Sequence, residues 1–225
     1  FLEAYPEKRG EVERRMREGR LEFGATFNQP YESWLSGEEL VRQLYYGRRW
    51  IRTTFPGCDA RVAFTPDVPG RALQMQQILA KAGVPYLFTS RYHEGFYRWA
   101  SPDGSSVLAY TPGHYVNDMA VLKGGAEAVA KKLDGKAAYH AGRGLAPEFA
   151  FINSADFSKP TDYDALLAAW NARPEPRPAM RYASLERFFD AVAQGAPRFD
   201  TLMGERPDVW CYIHGPTHRE TSALR

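Results

Sequence analysis

The chain has 225 residues, 44% hydrophobic and 25% charged, a composition that suits one folded domain with a real core. Its formal charge of +2 comes from 29 Lys and Arg set against 27 Asp and Glu, interspersed rather than clustered, so no basic stripe argues for a nucleic-acid partner. No apolar run approaches the ~20 residues of a membrane helix, so no membrane partner is expected either.

Residues 6–18 read as a charged helix, with Pro6 at its start and Gly19 at its end. Residues 20–26 follow as a short strand. Ser36-Gly37-Glu38-Glu39 is a capping box, Ser36 at the N-cap and Glu39 three positions on. It opens a helix to about Trp50, with Leu40, Val41, Leu44 and Tyr45 as an apolar stripe at helical spacing. Residues 62–65 form the next strand. A helix from about Gly70 to Ala82 buries Leu73, Met75, Ile78 and Leu79, and Gly83 stops it.

Residues 86–89 are a third strand, and residues 96–111 a hairpin turning at Pro102-Asp103-Gly104. A helix over about 125–133 carries Ala126, Val129, Ala130 and Leu133 on one face, and residues 149–152 are a buried strand. Residues 162–172 are helical, with Tyr163, Leu166, Leu167 and Trp170. A strand over 180–183 and a helix over 184–193, with Leu185, Phe188, Phe189 and Val192, complete the series. Residues 136–147 and 173–178 read as surface loops. Strand–helix units in succession predict an α/β fold whose parallel sheet, open or closed into a barrel, has its helices outside.

Ligands in such folds gather at the carboxyl ends of parallel strands. Asp67 follows the 62–65 strand and Asp156 follows the 149–152 strand, so two carboxylates stand at strand-to-helix turns. Paired carboxylates are the machinery of glycosidic cleavage, although Asp is also a common turn and N-cap residue. Aromatic side chains crowd these turns, among them Phe27, Tyr31, Trp34, Tyr92, Phe96, Tyr97, Trp99, Tyr110 and Tyr115. They suit sugar stacking as well as an ordinary core. His214 and His218 are four apart, but Gly215-Pro216 between them opposes a shared helical face, so a substrate or hydrogen-bonding role, with His214 as a substrate contact, is expected ahead of a metal role for the pair. Cys58 and Cys211 form no metal-type pair; two unpaired thiols point to a reducing, cytoplasmic location. The ends, Phe1 without an initiator Met and Thr221 to Arg225, are expected to lie inside a longer chain without a secretory leader.

Read together, these segments resemble glycoside hydrolase family 38, the α-mannosidases. The resemblance runs from Glu18-Gly19-Arg20-Leu21-Glu22-Phe23-Gly24 through Ser36 to Gly47. It is strongest at Thr65-Pro66-Asp67-Val68-Pro69-Gly70 and the helix ending in Ala82-Gly83. It continues through Arg98-Trp99 and Pro102-Asp103-Gly104-Ser105 to Asn153-Ser154-Ala155-Asp156-Phe157. It implies a truncated catalytic domain over 1–225, built as a partial (β/α)7-type barrel with outer helices, and hydrolysis of α-mannosidic bonds in a glycan or mannoside.

It further implies that Asp67 is the nucleophile and a zinc ligand, that Asp156 is the acid/base, and that Arg91 lies near the nucleophile. A retaining mechanism follows, with carboxyl groups ~5–5.5 Å apart. The other three zinc ligands of the family fall outside this chain, so zinc is expected to be absent or weakly held by these residues alone. Pro69 and Tyr31 stand where the family has Phe and a helper Asp. A carbohydrate-binding relative without catalysis, or another metal-dependent barrel enzyme such as a sugar deacetylase, therefore stays open.

Overall fold

The computed structural model describes residues 1–68, 70–143, 151, 156–159, 161–175, 177–194 and 198–206. In chain order the helices are α1 (Arg9–Arg17), α2 (Gly37–Thr54), α3 (Met75–Lys81), α4 (Asn117–Lys123), α5 (Gly125–Arg143), α6 (Asp164–Asn171) and α7 (Leu185–Ala193). The strands are β1 (Val62–Thr65), β2 (Tyr86–Thr89), β3 (Gly95–Ala100), β4 (Ser106–Thr111) and β5 (Asp200–Met203). They fall into two compact units. One holds residues 23–91, 96–110 and the described residues from 201 onward; the other holds 1–22, 92–95 and 111–200. No described helix is long and apolar enough to cross a membrane.

The first unit is built on the sheet, in the order β1-β2-β4-β3-β5. β1 pairs with β2 in parallel, with Val62 opposite Tyr86 and Thr65 opposite Thr89. β2 pairs with β4 in parallel, with Phe88 opposite Tyr110. All four residues of β2 are buried, as suits a parallel strand covered on both faces. β3 and β4 are neighbours joined by the 101–105 turn and so run antiparallel. In that turn the Gly104 N–H donates to Ser101 O at 3.0 Å, and Gly104 takes φ +84°, where a side chain would be strained. The expected hairpin at 96–111 thus supplies the sheet's next strand in place of a helical crossover, and it makes the expected parallel sheet a mixed one, parallel through β1, β2 and β4 with β3 antiparallel.

α2 begins at the expected capping box: the Glu39 N–H donates to Ser36 Oγ at 3.3 Å, and the Ser36 N–H donates to Glu39 Oε2 at 2.7 Å. It continues past Trp50 to Thr54 and buries Leu40, Leu44, Gly47 and Ile51. Val41 and Tyr45, expected in the core stripe, are exposed. The buried face is fixed by Gly47, where an added Cβ would meet Ala25 O at 2.8 Å and Phe27 N at 2.9 Å. That close passage also explains why residues 20–26 are no strand. The Ala25 N–H donates to Val62 O at 2.8 Å, but the chain then turns away and the Phe27 N–H donates to Gln43 O at 2.9 Å. A ladder never forms.

α3 starts at Met75, later than the expected Gly70, because the Arg71 backbone is paired with Arg206. Each N–H donates to the other's carbonyl at 2.9 Å. The aromatic core includes Phe96 against Tyr110 at 4.7 Å and Phe23 stacked on Phe55 at 5.9 Å.

In the second unit, α1 buries nothing and is laced by Glu–Arg pairs at three- and four-residue spacing, such as Arg15 to Glu11 at 2.7 Å. The core of this unit gathers Leu122, Val129, Ala130, Tyr163 and Trp170. α5 runs on to Arg143, so residues 136–143 are helix and not the expected loop. No strand forms at 180–183, because a side chain serves as Met180's partner. The Met180 N–H donates to Asn171 Oδ1 at 2.8 Å, and Asn171 Nδ2 donates to Met180 O at 2.9 Å. α7 buries Phe188, Phe189 and Val192 as expected. The strand expected at 149–152 lies outside the described residues except for Phe151, and β5 was not anticipated.

Candidate active site

β1 ends at Thr65, and the turn that follows presents Asp67 at the carboxyl edge of the sheet. β2, its parallel neighbour, ends at Thr89, and two residues later Arg91 reaches the same edge. Equal register makes the two sites adjacent. Arg91 Nη2 donates to Asp67 Oδ1 in a charge-assisted hydrogen bond between two partly exposed side chains. Arg91 adopts φ +66°, a left-handed backbone that a non-glycine residue takes at a cost. The Asp67 N–H donates to Gln29 Oε1 at 3.1 Å, and Ser90 Oγ donates to Pro66 O. The turn is thus fastened on three sides.

Beneath it sits a buried ion pair that the sequence did not reveal. Arg71 Nη1 donates to Glu32 Oε1 at 2.6 Å, with the two side chains 0% and 1% exposed. Arg71 Nη2 donates to Thr65 O at 3.0 Å, to Thr89 Oγ1 at 2.7 Å and to Thr65 Oγ1. The Ala72 N–H donates to Glu32 Oε2 at 2.7 Å. In a stretch read as an amphipathic helix, Arg71 passes for a solvent-facing residue, and only the neighbouring Gly70 hints at anything else.

The expected sugar-stacking residues Phe27 and Tyr31 flank Gln29 in the chain and are both exposed. Tyr31 stacks on Trp34 with ring centroids 5.2 Å apart. Trp99, Phe96 and Tyr110 are core.

Asp156 belongs to the other unit. Its Oδ1 accepts a hydrogen bond from the Tyr115 hydroxyl at 2.8 Å. Tyr115, an expected substrate contact, is 6% exposed, while Asp156 itself is exposed. The Tyr115 ring packs on His114 at 4.6 Å. Phe157 follows with φ +55° and a fully exposed ring. Pro69, Asn153 to Ala155, Cys211, His214 and His218 lie outside the described residues.

Among the described residues no three His, Cys, Asp or Glu side chains converge as a metal site. Asp67 is one carboxylate, and its observed partner is a guanidinium. Catalytic zinc uses three protein ligands, so the described residues of this chain do not by themselves fit zinc.

A carboxylate at the carboxyl edge of a parallel pair and gripped by Arg, as Asp67 is, suits nucleophilic work, and an exposed carboxylate bonded by Tyr, as Asp156 is within its own unit, suits acid or base work. Comparison with known proteins agrees on the family. The model for the glycosyl hydrolases family 38 N-terminal domain matches residues 1–212. The chain is 29% identical over 85 residues to "Alpha-mannosidase" of Saccharomyces cerevisiae, covering 34% of this chain and 8% of that protein. It is 28% identical over 119 residues to "Alpha-mannosidase G" of Dictyostelium discoideum, covering 49% and 11%. The crystal structure of an alpha-mannosidase from Enterococcus faecalis V583 superposes with a TM-score of 0.70 at 20% identity, over 91% of this chain and 24% of that one. The likeness to that structure establishes a shared fold. The chain spans 8% and 11% of the two relatives' own lengths. With the family model matched over residues 1–212, the chain belongs to glycosyl hydrolase family 38, in its N-terminal domain.

Proposed function

We propose that the protein of which these residues form part hydrolyses α-mannosidic bonds in a glycan or mannoside with retention of configuration. The observation that carries this reading is the Asp67–Arg91 pair at the carboxyl ends of two neighbouring parallel strands. A nucleophilic carboxylate must present one oxygen in a fixed direction. The bond from Arg91 and the Gln29–Asp67 backbone bond hold the turn that aims it.

In the first step an Asp67 oxygen attacks the anomeric carbon as the glycosidic C–O bond breaks, and Asp156 gives its proton to the leaving oxygen. In the second, Asp156 takes a proton from water. That water's oxygen attacks the anomeric carbon and releases Asp67 from the glycosyl ester. Tyr115 orients Asp156 for both transfers through its 2.8 Å bond. Phe27, Tyr31 and His214 are assigned to sugar contact. For the whole protein, zinc held by Asp67 with ligands outside this chain belongs to the same reading, as do closure of the sheet into a (β/α)7-type barrel and a cytoplasmic location. The proton and bond changes just given need only the two carboxylates.

The names of the yeast and Dictyostelium relatives support the substrate class. The test is turnover of an activated aryl α-mannoside by the full-length protein and its Asp67→Asn variant. Turnover that is lost on substitution is expected. An equal rate in the variant, or no turnover of any α-mannoside by the parent, would overturn the reading.

A further inference from the structure

A guanidinium loses its hydration when buried and is retained only where fixed acceptors replace it. Arg71 is buried completely, and its acceptors come from three separate stretches of chain. Thr65 and Thr89 are the last residues of β1 and β2, and Glu32 lies in the segment that also supplies Gln29. Each anchor is a short lever from the site. Thr65 precedes Asp67 by two residues, Thr89 precedes Arg91 by two, and Gln29 precedes Glu32 by three. Two residues of backbone span at most about 7 Å, and the turns they form are themselves bonded at Asp67 N–H and Ser90 Oγ, so a shift at either threonine displaces the turn that carries Asp67 or Arg91.

Stability alone does not account for this arrangement, because a buried ion pair is often replaced by apolar side chains without loss. Apolar side chains could not, however, bond a backbone carbonyl and two hydroxyls across two strand ends at once. Lysine would carry the charge without the planar fork.

We propose that the Arg71–Glu32 pair is the positioning device of the site, one guanidinium locking the ends of β1 and β2 to the Gln29–Glu32 segment so that Asp67 meets Arg91 in a fixed geometry. This rests on Asp67 being the nucleophile. Neither Arg71 nor Glu32 touches substrate in this assignment; both act through Asp67 and Arg91.

The experiment uses the full-length protein with two variants. Glu32→Leu combined with Arg71→Met replaces the pair by apolar side chains, and Thr89→Val removes one acceptor without stranding a charge. The double variant is expected to fold with a lowered Tm, because the Ala72 N–H and the Thr65 carbonyl lose their partners, while kcat on an aryl α-mannoside falls about 10²-fold and KM moves little. Its crystal structure should show Asp67 out of hydrogen-bond reach of Arg91. Thr89→Val should show the same displacement in smaller measure, with kcat about 10-fold down.

An intact Asp67–Arg91 pair in either folded variant, with parental kcat, overturns the proposal. Should the double variant not fold, Thr89→Val decides by the same criteria. Should the parent turn over no glycoside, the functional reading fails by itself. The Asp67–Arg91 distance in the variant structures then decides whether the pair positions the site.

Discussion

The Tyr115 hydroxyl donates to Asp156 Oδ1 at 2.8 Å, so a tyrosine that is 6% exposed anchors a carboxylate that stands in solvent. Tyr115→Phe removes that donor and keeps the ring against His114. Water can replace the lost bond at an exposed oxygen, so stability should change by no more than about 1 kcal/mol. Hydrolysis of mannosides with poor leaving groups should slow about 10-fold, a fraction of the 10²–10⁴ that a positioned acid supplies. Unchanged kcat on such substrates would remove Tyr115 from the machinery.

Removing the two carboxylates should give different failures. Asp67→Asn should abolish turnover on every substrate, because attack on the anomeric carbon does not depend on the leaving group. Asp156→Asn should still form the glycosyl ester from an activated aryl mannoside, then hydrolyse it slowly for want of a base. A burst followed by slow release is the expected trace, and azide, an anion that needs no general base, should accelerate the slow phase. Near-parental rates in both variants would show that these acids are misassigned.

How far the sequence reveals the fold depends on whether a residue's partner is local. The capping box at Ser36 and Glu39, the strands at 62–65 and 86–89, and the 101–105 turn are all written in neighbouring residues, and each is found where expected. Asp67 was legible for the same reason, as an acid in a turn after a strand. The failures have distant partners. Residues 20–26 carry strand-forming composition, but after Ala25 the chain turns to bond Gln43 on α2, a close passage that Gly47 permits. Met180 lies in an apparent strand whose hydrogen bonds go to the side chain of Asn171. Arg71 looks like a surface residue until Glu32, 39 positions away, is seen beside it.

The capping box offers a direct measure of how much α2 contributes to the sheet unit. Ser36→Ala leaves the Glu39 N–H without its side-chain acceptor and removes the Ser36 hydroxyl that donates to Glu39 Oε2 at 2.7 Å, while the Ser36 N–H keeps that oxygen as its acceptor. A loss of about 1 kcal/mol is expected in chemical unfolding, with the m-value unchanged. Ser36→Thr should retain most of the stability, since a threonine hydroxyl also caps and can still donate to Glu39 Oε2. Equal destabilisation by both substitutions would show that the stability does not come from the hydroxyl.

Asp59 gives the fold a defined acid limb. Partial burial raises its carboxyl, but this is outweighed by bonds from Arg48 at 2.5 Å and Arg52 at 2.6 Å and by the Ala60 N–H at 2.8 Å. The result lies well below the usual carboxylate range. Arg48 also donates to Ala82 O, just past the end of α3, so the group joins α2 to that turn. The folded-state value lies below the unfolded value of about 3.9. The stabilisation is therefore complete above that value and is lost progressively as pH falls towards the folded one. Asp59 is 34% exposed and Arg52 54%, so screening by water limits the contribution to about 1 kcal/mol. Asp59→Asn should accordingly cost about 1 kcal/mol at pH 6, and the gap between parent and variant should close as pH is lowered from 4 towards 2 (the range set by the unfolded carboxyl near 3.9). Added salt should narrow the gap at pH 6 as well. Thermal unfolding of both proteins across this range gives the measurement. A gap that stays constant down to pH 2, or widens there, would show that Asp59 acts through shape or hydrogen bonding and not through its charge.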